Sequence, residues 1–152
     1  MSASPQTRMH LLEIPLDRFP VLVPSATIAE VVSMAALAAL PCSPAWVLGV
    51  LGWRNHAVPV VSFEALLAGT PPPRGPRDKV VVFYPLPGRG DTEFFGIAST
   101  REPQPHLIVE GNEIVASRAG AVDSPYVSAT VKLGTATLLI PDFEALNAAF
   151  YQ

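Results

Sequence analysis

The chain has 152 residues, 49% hydrophobic and 15% charged, which supplies apolar side chains for a core and excludes a disordered composition. A formal net charge of −3 leaves no electrostatic footprint for nucleic acid, and a single cysteine excludes an internal disulfide or a cysteine-rich metal site. The longest apolar run falls far short of the roughly 20 residues needed to cross a bilayer as a helix.

Residues 1–7 read as a disordered leader without the apolar core of a secretion signal, since Glu13 and Asp17 stand where that core would lie. Two short strands are expected at 10–16 and 19–23, broken by a hairpin or tight corner at Asp17-Arg18. The segment 27–40 is ambiguous: MAALAAL favours a helix, whereas Ile28, Val31 and Val32 suit a strand. Ser43 and Pro44 read as the cap and first residue of a short helix that Gly49 closes. The run 57–61 is a strand in which Pro59 demands an edge position or a bulge. Ser62 then caps FEALLA, which Gly69 stops.

The loop TPPPRGPRD, 70–78, is stiff and proline-rich. Strands follow at 79–84 and 93–98 with the turn-rich PLPGRGD between them, then at 107–109, 113–116, 126–133 and 135–140. Asp142 caps a last helix, FEALNAAFY. This spacing suggests small barrels rather than a parallel sheet with helices. VPVVSFEALL and TLLIPDFEAL share the order strand, cap, Phe-Glu-Ala-Leu, which points either to chance or to two similar lobes. In the second case the loop at 70–78 is the natural joint, and its stiffness packs the lobes together.

Chemistry is hard to find. His10, His56 and His106 lie far apart, none at metal-ligand spacing from another. Cys42 has no basic neighbour in sequence to lower its pKa. There is no G-x-S-x-G elbow and no phosphate loop, and Gly88-Arg89-Gly90-Asp91 is a hairpin tip with no helix behind it. Asp91 with Glu93, and Glu110 with Glu113, are accounted for by exposed strand ends. Trp46 reads as core. Trp53 beside Arg54 in a turn has the profile of an interface anchor, or else fills a groove between lobes.

The order of IAEVV, PCSPAWVLGV, WRNHAVPVVSF, FFGIAST and YVSATVKLGTATLLIPDFEAL resembles the CheW-like adaptor family over about residues 8–150. The resemblance implies a mostly β domain of two SH3-like, five-stranded barrel lobes with short helices, intertwined around the joint near 70–78. It also implies a strand at 27–32 followed by a loop, against local propensity. By the same resemblance the chain is no enzyme and has no cofactor. Its partners would be methyl-accepting chemoreceptor tips and the regulatory domain of a CheA-type histidine kinase, with no nucleic acid and no membrane insertion. It would lie in the cytoplasm, at receptor arrays through those partners.

Carried over by position, Glu30 matches the acidic residue of the family's V-x-E-V strand at a partner surface. Gly49 and Val50 match the Gly-Val step, and Arg54 matches the arginine of the Asn-Leu-Arg-Gly turn, with Trp53 and Asn55 as its neighbours. Here that turn reads Gly52-Trp53-Arg54-Asn55, with Asn55 able to adopt a positive φ. Ser62 and Thr100 stand where aspartates are usual, removing two charges. The Trp53-Arg54 turn and the Ser62-Phe63-Glu64 helix start resemble the accessory, ChpC-like adaptors linked to type IV pilus twitching. The alternatives are a small barrel that binds a ligand or single-stranded nucleic acid, and an enzyme with polar groups converging between the lobes.

Overall fold

Alternating apolar residues and frequent turns give a β-rich chain, seen in a computed structural model that describes residues 8–34, 36–73, 75–109, 114–116 and 124–151. The expectation for residues 1–7 falls outside these, as does that for Glu110 with Glu113. In chain order the described strands begin with β1 (Arg8–Ile14), β2 (Val21–Pro24), β3 (Ile28–Ser33), β4 (Val47–Trp53) and β5 (His56–Val61). Helix α1 (Phe63–Ala68) follows, then β6 (Lys79–Phe83), β7 (Phe95–Ser99), β8 (Gln104–Val109) and β9 (Ile114–Ala116). The chain closes with β10 (Val127–Leu133), β11 (Ala136–Pro141) and α2 (Phe143–Phe150).

These strands form two sheets, in the orders β8-β1-β2-β11-β10-β9 and β3-β6-β7-β5-β4. The sheets are versions of one unit. In each, an antiparallel hairpin (β10-β11 or β4-β5) leads into a helix, and its second strand pairs in parallel with the last strand of another hairpin, β2 or β7. The first strand of that other hairpin pairs outward with an edge strand, β8 or β3. The second lobe follows one continuous order, β3 to β7, whereas the first is cut, taking β1 and β2 from one end of the chain and β8 to α2 from the other. The shared strand–cap–FEAL pattern is therefore repeated in space as well as in sequence.

The helix caps behave as their residue types dictate. Ser62 Oγ accepts from the Ala65 N–H at 3.2 Å, and Gly69 ends α1 in the left-handed region at φ 87°. Asp142 Oδ1 accepts from the Ala145 N–H at 3.0 Å in the equivalent place on α2. A shared core joins the lobes: Ile14, Val21, Val23, Leu139 and Leu146 of the first pack with Val61, Phe63, Val81, Phe83, Phe95 and Ile97 of the second. The Phe83 and Phe95 rings stack at 5.0 Å within it. Each lobe also has a smaller core of its own.

Several expectations are corrected. There is no helix at 43–49: Ser43 Oγ donates to the Leu40 carbonyl at 2.7 Å, and residues 47–53 form β4. A ladder to β5 offers VLGVLGW more than a helix too short to nucleate. Pro59 is not on an edge strand, because β5 lies between β4 and β7. It is tolerated because the parallel ladder to β7 involves only Val60 and Val61, while the bulge sits opposite, between Val47 and Gly49. The loop at 70–78 does not join the lobes, since it connects α1 to β6 and the flanking strands β5 and β6 belong to one sheet. The chain crosses instead at 25–27, after β2, and at 100–103, after β7. The first sheet has a sixth strand, β9, whose counterpart in the second is a single bridge between Ala38 and Val50. The ambiguous segment 27–40 resolves into strand β3 and a following loop, as the resemblance implied.

Candidate partner-binding site

The second sheet curls until its edges meet, and the residues singled out in sequence lie at that seam. Strands β3 and β4 occupy opposite edges, yet Glu30 on β3 contacts the tip of β4. Glu30 Oε1 accepts from Arg54 Nη2 at 2.7 Å and from the indole Nε1–H of Trp53 at 3.2 Å. The Arg54 guanidinium also lies over the indole, 4.8 Å from the ring centroid. One carboxylate thus holds the hairpin tip against the far edge of its own sheet.

Local backbone geometry aims these groups. Trp53 pairs with His56, so Arg54 and Asn55 alone form the turn, at φ 46° and 63°. Two positive φ values in succession define a type I′ turn, the form whose twist matches a two-residue hairpin. Asn55 tolerates this conformation. Arg54 does so at roughly 1 kcal/mol of strain, which its contacts with Glu30 and Trp53 offset. On the other edge, a bulge between Ile28 and Glu30 re-aims β3 immediately before the carboxylate.

The six expected residues divide by role. Arg54 and Glu30 keep 66% and 38% of their side chains exposed, so this ion pair remains open to a partner. Trp53 does not: it is only 9% exposed and packs with Leu51, Val58, Val60, Val80 and Val82 in the second lobe's own core. It is neither an exposed anchor nor the filling of a groove between lobes, because its neighbours all come from one sheet. Only its polar edge reaches the seam. Gly49 is buried, at φ 147°, and an added Cβ would stand 2.7 Å from the Ala38 carbonyl oxygen and 2.9 Å from Leu37 Cβ. The adjoining Val50 exchanges two backbone bonds with Ala38, at 2.8 and 3.0 Å. Gly49 and Val50 therefore act through the backbone, docking the loop after β3 onto β4. Asn55 shapes the turn.

Three residues not singled out as a site extend this surface. Phe94 lies 5.0 Å from Trp53 and 4.7 Å from His56, and Tyr84 lies 6.3 Å from Phe94 (ring centroids), with 51% of Tyr84 exposed. Tyr84 follows β6, Phe94 precedes β7 and His56 opens β5, so the curl of the sheet assembles the aromatic strip beside the Glu30–Arg54 pair. No nearby sequence pattern signals it. Among the described residues no three His, Cys, Asp or Glu side chains gather as a metal site would require, and no helix is long and apolar enough to cross a membrane.

Comparison with known proteins agrees with this architecture. Residues 11–149 match the family model described as the CheW-like domain. Among solved structures, the chain is similar to the scaffolding protein TtCheW from Thermoanaerobacter tengcongensis, with a TM-score of 0.73 at 14% sequence identity. That match covers 90% of this chain and 85% of the other, and shows that the two sheets are the pair of SH3-like lobes of that fold. A search of curated proteins by sequence found no match.

Proposed function

The chain belongs to the CheW-like family, whose members are scaffolds of chemotaxis signalling, and we propose that it couples methyl-accepting chemoreceptor tips to the regulatory domain of a CheA-type histidine kinase. The observation that carries this reading is the exposed Glu30–Arg54 pair, fixed on a strained turn beside the strip of Phe94 and Tyr84. An ion pair next to aromatic surface sets register through charge and gains affinity through apolar burial. In this reading the chain acts by binding alone. Scaffolding acts by geometry and mass action: holding both partners raises their effective concentration and fixes their relative orientation.

The finer reading places the protein in the cytoplasm, in the accessory branch that serves type IV pilus twitching. It rests on the Trp53-Arg54 turn and the Ser62-Phe63-Glu64 helix start, beside the charges lost at Ser62 and Thr100. The two charge losses have a physical sense in the fold. Ser62 retains the capping role that Asp142 plays in the other lobe, without its charge. The Thr100 N–H and Oγ1–H both donate to the Pro15 carbonyl, at 3.0 and 3.3 Å, tying one lobe to the other. The test is capture of purified kinase regulatory domains by the immobilised chain, from a pilus-type and a flagellar-type system in parallel. Retention of the pilus-type domain alone is expected. Equal retention of both would remove the branch assignment, and retention of neither would remove the coupling role.

A further inference from the structure

The repeat in the fold gives each lobe a helix whose second residue is a glutamate, Glu64 on α1 and Glu144 on α2. Their surroundings differ. Glu144 meets Arg89 Nη2 at 3.8 Å, on the long connection between β6 and β7. The same Arg89 donates from Nη1 to the Tyr151 carbonyl at 3.4 Å, and the Tyr151 hydroxyl donates to the Phe94 carbonyl at 2.7 Å. The chain thus covers one flank of α2 with its own hairpin and supplies the cation itself.

At α1 the equivalent connection, between β1 and β2, is only the short corner at 15–20. It leaves a groove of about 550 Å³ with apolar walls from Leu16, Phe19, Leu67 and Leu139. Glu64 and Asp17 are its acids, and the Glu64 carboxylate accepts the Asp17 backbone N–H at 3.1 Å. Among the described residues no Lys or Arg stands within ion-pair distance of Glu64. Arg18 also lines the groove, but its guanidinium lies over the Phe19 ring, 5.8 Å from the centroid, and makes no ion pair with Glu64. Burial pushes the Glu64 carboxyl above its ordinary value; the Asp17 N–H bond opposes this, and the Asp17 and Asp78 carboxylates add to the rise. A half-buried acid in an apolar groove is complementary to a cation on an apolar stem.

We propose that the groove between α1 and the β1–β2 corner is a second docking surface, taking from a partner protein an apolar segment whose arginine pairs with Glu64 as Arg89 pairs with Glu144. It shares no residue with the Glu30–Arg54 turn, so this surface and the kinase–receptor reading fail independently.

The test is an amide NMR titration of the whole chain with the peptide acetyl-Leu-Leu-Arg-Leu-Leu-amide and with its citrulline counterpart, which keeps shape and loses charge. Saturable shifts are expected at residues 16–19 and 64–68, with binding at least about fivefold weaker for citrulline and for Glu64→Gln. Glutamine retains an acceptor for the Asp17 N–H, so that variant should keep its fold, as an unchanged spectrum elsewhere would verify. Equal binding by the two peptides, equal binding by Glu64→Gln, shifts confined to other surfaces, or no shifts at all would each overturn the proposal.

Discussion

At the scale of single residues, Trp53 shows how far a side chain's neighbours in sequence can mislead. An aromatic beside an arginine in a turn has the profile of an exposed anchor, yet the period of the hairpin turns Trp53 inward, and only its Nε1–H emerges to meet Glu30. Trp53→Ala should therefore act through stability, removing about 3–5 kcal/mol and lowering the melting temperature by on the order of 10 °C. Thermal unfolding followed by circular dichroism checks this, and an unchanged melting temperature would contradict the burial. Glu64 makes a prediction of opposite sign. Its folded pKa is raised by burial, so the stability it contributes is present below its unfolded pKa and lost as pH rises through the folded value. Glu64→Gln has no such loss. Melts of both proteins at about pH 4 and about pH 7 should show the variant gaining on wild type at the higher pH. A constant difference would mean that the carboxylate is not desolvated in the folded state.

At the scale of elements, local chemistry was legible wherever it was decisive. Ser62, Gly69 and Asp142 announced their caps, and the strands at 79–84, 126–133 and 135–140 lie within a residue or two of those observed. The failures came where a tertiary partner chose between local options. Pro44 and Gly49 suggested a helix, but β5 offers its neighbour a full ladder, and Gly49 is needed because Ala38 passes too close for a Cβ. Pro59 looked unfit for an interior strand, and nothing local shows that its parallel ladder is so short. Comparing the two helices yields a further test. Asn147 on α2 is fully buried, with neither side-chain polar atom bonded to any described residue, while the matching position on α1 is Leu67. Asn147→Leu should thus stabilise the protein by about 1–2 kcal/mol. Urea titration would measure it, and destabilisation would show that the amide has a partner in solution.

At the scale of the whole molecule, the twin-lobe architecture was hinted at by a repeat of strand, cap and Phe-Glu-Ala-Leu and implied by the family resemblance, but the place where the lobes interlock was not legible. The proline-rich loop at 70–78 looked like the joint because composition marks stiffness, not topology. The crossings at 25–27 and 100–103 carry no comparable signal. Interleaving has a thermodynamic consequence, because the central core draws side chains from both sheets. Neither lobe keeps its apolar face covered if the other unfolds, so unfolding should be one cooperative transition. Tryptophan fluorescence reports Trp53 in the second lobe's own core and Trp46 against the shared core, far-ultraviolet circular dichroism reports both sheets, and their midpoints in urea should coincide. Two separated midpoints would mean that the lobes fold independently.

In the proposed role, the Arg54 turn is the surface that other proteins grip. Because the pair with Glu30 is largely exposed, Arg54→Ala should remove no more than about 1 kcal/mol of stability. The decisive measurement is calorimetric titration of a CheA-type regulatory domain into wild type and Arg54→Ala, each verified as folded by its melting temperature. Affinity at least about tenfold weaker for the variant, equivalent to roughly 1.4 kcal/mol, is the predicted result. Equal affinity in two equally folded proteins would contradict it.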